Sequence, residues 1–108
     1  MVWVTLCTLD ELREGEGRHV EADGLRLAVF LAGGEPHVMD DLCPHAGGRM
    51  SEGWVEEGFA VCPLHCWAFD LSSGDLRGGP PAMIRIYPCR LLRRDDGPPL
   101  VQARLPLP

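Results

Sequence analysis

Short apolar stretches, each bounded by glycine, proline or acidic residues, divide the chain into segments of strand length rather than helix length. Val2 to Leu6 is β-branched and aromatic and predicts a first strand. Thr8-Leu9-Asp10-Glu11 has the spacing of a capping box and predicts one helical turn. Glu14-Gly15-Glu16-Gly17 reads as a turn. Arg18 to Glu21 and Leu25 to Leu31 then read as two strands joined at Ala22-Asp23-Gly24, whose Asp-Gly pair favours a tight hairpin. Gly33-Gly34-Glu35-Pro36 predicts a second loop leading into a short strand, His37-Val38-Met39, and the pattern breaks off at Asp40-Asp41.

Farther along, Trp54-Val55 and Phe59-Ala60-Val61 flank Glu56-Glu57-Gly58, the composition of a three-residue hairpin loop. Ala68-Phe69-Asp70-Leu71 runs into a turn at Ser72-Ser73-Gly74, and Gly78-Gly79-Pro80-Pro81 punctuates again. Ile84-Arg85-Ile86-Tyr87 and Val101 to Leu105 alternate apolar with polar, with a turn at Asp95-Asp96-Gly97-Pro98-Pro99 between them. Trp3, Trp54, Cys7 and Cys89 are expected in the core, and His19 and His37 on strands or at the surface. Many short strands with one helical turn predict an all-β sandwich or barrel. At 108 residues, without repeat or linker, the chain reads as one domain, 1–108.

Composition narrows the function. The hydrophobic share of 45% and charged share of 24% are ordinary for a globular protein. A net charge of -6 and a pI near 5.0 argue against nucleic acid or an anionic membrane as partner. The N-terminus shows no basic segment followed by an apolar one, and no run approaches the roughly 18 apolar residues of a membrane span, so the expectation is a soluble, cytoplasmic chain. Five cysteines form neither an even nor a dense set, which favours a reducing compartment and metal ligation over a disulfide framework.

Two Cys-His pairs stand out: Cys43-Pro44-His45, and Cys62-Pro63-Leu64-His65, with 16 residues between His45 and Cys62. Thiolate and imidazole ligands at this spacing imply a metal site, either a tetrahedral zinc in a structural interaction module or a [2Fe-2S] centre in which two His replace two Cys on one iron. Structural zinc motifs mostly pair like with like, whereas each arm here carries one Cys and one His. Mixed arms suit a binuclear cluster, because each loop can give its Cys to one iron and its His to the other.

The C-x-H and C-x2-H pairs, with Trp67, Phe69-Asp70-Leu71 and Gly74 trailing, resemble the Rieske signature. The resemblance extends through Gly15 to Phe30, Asp40-Asp41, Ser51-Glu52-Gly53 and the Tyr87-Pro88…Arg90 strand. It is to small Rieske ferredoxins: ferredoxin components of aromatic-ring dioxygenases, and the small subunit of NAD(P)H-dependent assimilatory nitrite reductase. Cys-Pro-Leu-His, Trp67 and Tyr87-Pro88 lean slightly to the second. The resemblance implies a Rieske-type antiparallel sandwich with a cluster-binding subdomain at about 41–81, and one [2Fe-2S] cluster with Cys43 and Cys62 on an inner iron and His45 and His65 on an outer one. It also implies one-electron transfer to or from a flavin- or NAD(P)H-linked reductase or a large reductase or oxygenase subunit. Gly78-Gly79-Pro80-Pro81, by composition an ordinary turn, resembles the family's third loop, which packs over the cluster.

Three departures qualify the likeness. High-potential Rieske proteins carry a further Cys in each ligand loop, forming a disulfide; Gly48 and Leu64 stand there, so that bridge cannot form. The Ser and Tyr hydroxyls that such proteins place near the cluster sulfurs correspond to Trp67 and Phe69, which implies a low potential, a direction that Asp40, Asp41 and Asp70 reinforce. Cys66 replaces the usual glycine after the second His, where a glycine is expected to serve a tight backbone approach. The Arg90, Arg93, Arg94 group reads as solvated surface. With no G-x-G-x-x-G nucleotide fingerprint, the chain is expected to carry electrons for a larger system rather than turn over substrate alone.

Overall fold

The computed structural model describes residues 1–44 and 47–106; the predicted ligand His45 lies outside the described residues. Strands β1 (Val2–Thr8), β2 (Gly17–Ala22), β3 (Leu25–Ala32), β4 (Glu35–Asp40) and β5 (Trp54–Glu56) fill the first half. β6 (Phe59–Val61), β7 (Ala68–Asp70), β8 (Ile86–Tyr87), β9 (Cys89–Leu92) and β10 (Leu100–Leu105) complete the set. They form three sheets, β1-β10-β9, β2-β3-β4-β8 and β5-β6-β7, and every strand pairing is antiparallel. The all-β sandwich expected from the sequence is present. No helix among the described residues is long and apolar enough to cross a membrane.

β3 explains the layering. Successive side chains of a strand point to opposite faces, so an unbroken apolar run requires cover on both sides. Leu27 and Val29 enter a core shared with Val38, Val101, Ala103 and Leu105, beneath the β1-β10-β9 sheet. Ala28 and Phe30 point the other way, into a core with Met39, Met50, Ala60 and Phe69, beneath the β5-β6-β7 sheet. All four β3 residues are fully buried, and a side chain as large as Phe30 contributes about 1.5–3 kcal/mol by leaving water. The second of these cores also contains Cys43 and Cys62.

Local chemistry sets the details. The Glu11 carboxylate accepts the Thr8 N–H at 3.2 Å, closing the predicted capped turn at Leu9–Glu11. Asp23 and Gly24 both have positive φ, 51° and 78°, the backbone of a two-residue hairpin turn whose twist matches its strands. Gly53 admits no other residue without movement, since a Cβ there would lie 1.8 Å from the Val61 carbonyl oxygen.

Several expectations need correction. The 56–58 loop is a two-residue turn, Glu57-Gly58, both with positive φ, so Glu56 belongs to β5. Gly33-Gly34 likewise suffices for its hairpin, and Glu35 and Pro36 join β4. Only Ile86 and Tyr87 of the 84–87 stretch are strand, because Ile84 turns to bond Gly74. Met50–Glu52 adds an unforeseen 3-10 turn. Trp3 and Trp54 are not core: they are 38% and 39% exposed. Trp3 lies on the outer face of its sheet, where the Arg90 guanidinium stacks 4.0 Å from the ring centroid. Cys7 is buried, whereas Cys89, on edge strand β9, is only half-buried and donates its thiol to the Pro36 carbonyl at 3.0 Å.

Candidate metal centre

The two predicted ligand loops are built alike. In the first, the Cys43 N–H donates to the Gly48 carbonyl at 2.8 Å, and Leu42 bridges Arg49 across the loop's base. In the second, which connects β6 to β7, the Cys62 N–H donates to the Trp67 carbonyl at the same distance. Each cysteine thus opens a short loop that its own amide closes five residues later. Cys43 is 1% exposed and Cys62 is fully buried, whereas Pro63, Leu64, His65 and Cys66 are exposed.

Burial pushes the Cys62 thiol up to about 11; the Cys43 thiol hydrogen-bonded to it and Cys66 nearby push the same way, against a Leu64 amide that lowers it. Two neighbouring thiols in an apolar core are costly to ionise without a cation and are suited to thiolate ligation when one binds. Among the described residues the structure thus brings Cys43 and Cys62 together, and no three His, Cys, Asp or Glu side chains converge on one point. His65 is exposed on the second loop. The donor set fits an asymmetric cluster, with soft ligands inside the protein and imidazole toward solvent.

The departures from the high-potential pattern have structural counterparts. Gly48 and Leu64 face each other: a Cβ on Gly48 would meet Leu64 Cδ1 at 2.9 Å and Cys62 Sγ at 3.2 Å. Leucine therefore fills the space between the loops. Phe69 is fully buried, and its ring centroid lies 6.4 Å from that of half-buried Trp67. The third loop is held at its base by the Leu76 and Arg77 amides, which donate to Ala82 and Ala68. It lies beside the second loop, and Gly78, Gly79 and Pro80 share with Trp54, Cys66 and Trp67 the lining of an open groove of about 480 Å³.

The backbone of Cys66 gives a conformational reason for glycine there. Both His65 and Cys66 have left-handed backbone, φ 64° and 55°, a region glycine adopts without strain. A non-glycine residue in this region costs roughly 1–2 kcal/mol, partly offset by glycine's greater freedom in the unfolded chain. Cys66→Gly should stabilise the protein by about 0.5–1 kcal/mol and leave the visible spectrum unchanged. Thermal unfolding and absorption check both, and loss of the spectrum would make Cys66 a ligand.

Asp41, expected from the sequence as an acid that lowers the potential, has a structural role the sequence did not reveal. It is the one fully buried charged residue among those described. Burial alone would raise its pKa, but hydrogen bonds from Ser51, His19 and Arg49 together hold it below the usual carboxylate value. The available signal was its place two residues before Cys43, where a carboxylate can tie the loop's ends. Asp40 and Asp70 are half-buried: Asp40 accepts the Tyr87 hydroxyl at 2.6 Å, and Asp70 accepts the Ser72 and Ser73 amides.

Comparison with known proteins points to the same centre. A Rieske [2Fe-2S] domain model matches residues 2–88. The anthranilate 1,2-dioxygenase ferredoxin subunit of Burkholderia cepacia is 38% identical over 91 residues, covering 83% of this chain and 84% of that protein. The naphthalene 1,2-dioxygenase ferredoxin component of Pseudomonas putida is 33% identical over 90 residues, 82% of this chain and 86% of its own length. Among solved structures, one described as an NADH-dependent nitrite reductase small subunit from Mycobacterium tuberculosis superposes with a TM-score of 0.84 at 28% identity, covering 98% of this chain and 97% of that one. With the family model spanning both Cys-His loops and the strands that carry them, this chain belongs to the Rieske [2Fe-2S] family.

Proposed function

We propose that the protein is a one-electron carrier whose [2Fe-2S] cluster is held by Cys43 and Cys62 on the inner iron and by His45 and His65 on the outer iron. The observation that carries this reading is the asymmetry of the two loops, with both thiols buried in one core and His65 exposed on the outer rim. When bound, such a cluster supplies reversible one-electron chemistry without net chemical change in the protein. The chain's own contribution is to shield the sulfur side from water with Met50, Phe69 and Leu71 and to leave an imidazole edge accessible to a partner. We take residues 41–81 as the cluster-binding subdomain within a single domain, 1–108.

The partners would be a flavin- or NAD(P)H-linked reductase on one side and a large oxygenase or reductase subunit on the other. The relatives named for dioxygenase systems and the neighbour named for nitrite reductase support this class of partner without choosing between them. A cytoplasmic location fits a carrier of this kind. Chemical analysis of the purified protein tests the reading: two iron and two acid-labile sulfide per chain are expected, with a visible spectrum bleached on reduction. Colourless protein with one zinc would overturn it in favour of a structural module.

A further inference from the structure

We propose that His19, which lies outside both ligand loops, is a positioning residue for the first of them: through Asp41 its imidazole fixes the segment bearing Cys43 and sets the charge beside it. The inference rests on the reading of Cys43 as a ligand. His19 lies in the middle of β2, paired with Ala28 of the doubly covered strand β3. Its Nδ1 is 2.6 Å from Asp41 Oδ2; a carboxylate can only accept, so Nδ1 carries the proton.

Asp41 distributes its contacts so as to tie the loop to the sheet. Its N–H donates to the Arg26 carbonyl, and its own carbonyl accepts the Met50 N–H at 2.6 Å. Oδ1 accepts the Ser51 N–H at 2.7 Å, while Oδ2 accepts from Arg49 Nε at 3.3 Å as well as from His19. Arg49, Met50 and Ser51 all follow the loop that Asp41 precedes, so these bonds only close the loop on itself. Among the described side chains that bond Asp41, His19 alone comes from a strand.

The two side-chain donors are unequal. The Arg49 side chain is 51% exposed and its bond is long, whereas His19 is 25% exposed and its bond is short. Water screens the first more than the second, so the imidazole is the stronger partner of a carboxylate that cannot reach solvent. Glu21 Oε2, 3.7 Å from His19 Nε2, faces the other side of the ring and helps hold it in place.

The test uses the cluster-loaded protein and two variants. His19→Leu removes the donor at similar size; His19→Asn keeps a neutral N–H that can reach Asp41. For His19→Leu, cluster loss to a chelator should accelerate about tenfold, the usual scale for a group that orients a metal ligand. Peptides spanning 41–51 should exchange amide hydrogen faster, and the midpoint potential should fall because the Asp41 charge is less compensated. His19→Asn should restore all three toward wild type. Wild-type loss rate and potential in His19→Leu would overturn the proposal, and so would a His19→Asn protein as labile as His19→Leu, which would mark a packing role. If His19→Leu retains no cluster, His19→Asn decides alone: wild-type potential and loss rate support the proposal, and large changes overturn it. Absence of a Rieske spectrum from the wild-type protein would instead overturn the ligand assignment.

Discussion

Cys62→Ser protein should emerge from purification colourless, with below about a tenth of the wild-type iron, while Cys66→Ser retains its colour. Iron analysis and visible absorption check both. The difference follows from where the two thiols sit. Cys62 is fully buried beside Cys43, among Met50, Phe69 and Leu71; serine there offers a harder, poorly ionised oxygen in place of a soft thiolate. The substitution also leaves a hydroxyl in an apolar core, at a cost of roughly 1–3 kcal/mol if it finds no partner. Cys66 is exposed, on a left-handed turn. An iron-replete Cys62→Ser protein would overturn the ligand assignment. A colourless Cys66→Ser protein would exchange the roles of the two cysteines.

The sequence was most informative where chemistry and local geometry coincide. The Asp23-Gly24 hairpin and the capped turn at Thr8 each depend on residues adjacent in the chain, and both are found where the pattern places them. It was least informative where placement depends on what covers a surface. Trp3 and Trp54 have core composition, yet each is more than a third exposed. The run through β3 shows the opposite limit: seven residues with little alternation signal burial, but only the assembled sheets show that odd and even positions enter different cores. Asp41 and His19 were hidden for a related reason. They are 22 residues apart and meet only because β2 and β4 flank β3.

The second large effect concerns the potential. The wild-type midpoint should fall toward the low end of the Rieske range, roughly −150 to +300 mV, and a value above about +100 mV in a potentiometric titration would refute this. Reduction adds an electron to the cluster, and hydrogen bonds to its sulfurs stabilise that charge. Trp67 and Phe69 stand where hydroxyl donors are found in high-potential relatives, and Phe69 is fully buried among apolar neighbours. Asp41 is compensated by Arg49 and His19, which leaves the missing hydroxyls as the larger influence. Phe69→Tyr should therefore raise the midpoint by on the order of 30–60 mV, a three- to tenfold change in a one-electron equilibrium. Some stability would be lost to overpacking, about 1–3 kcal/mol. Phe69→Leu, equally disruptive to packing but without a donor, should not raise it. A rise in both variants would assign the effect to solvent entry, whereas a rise in the tyrosine variant alone requires the donor itself.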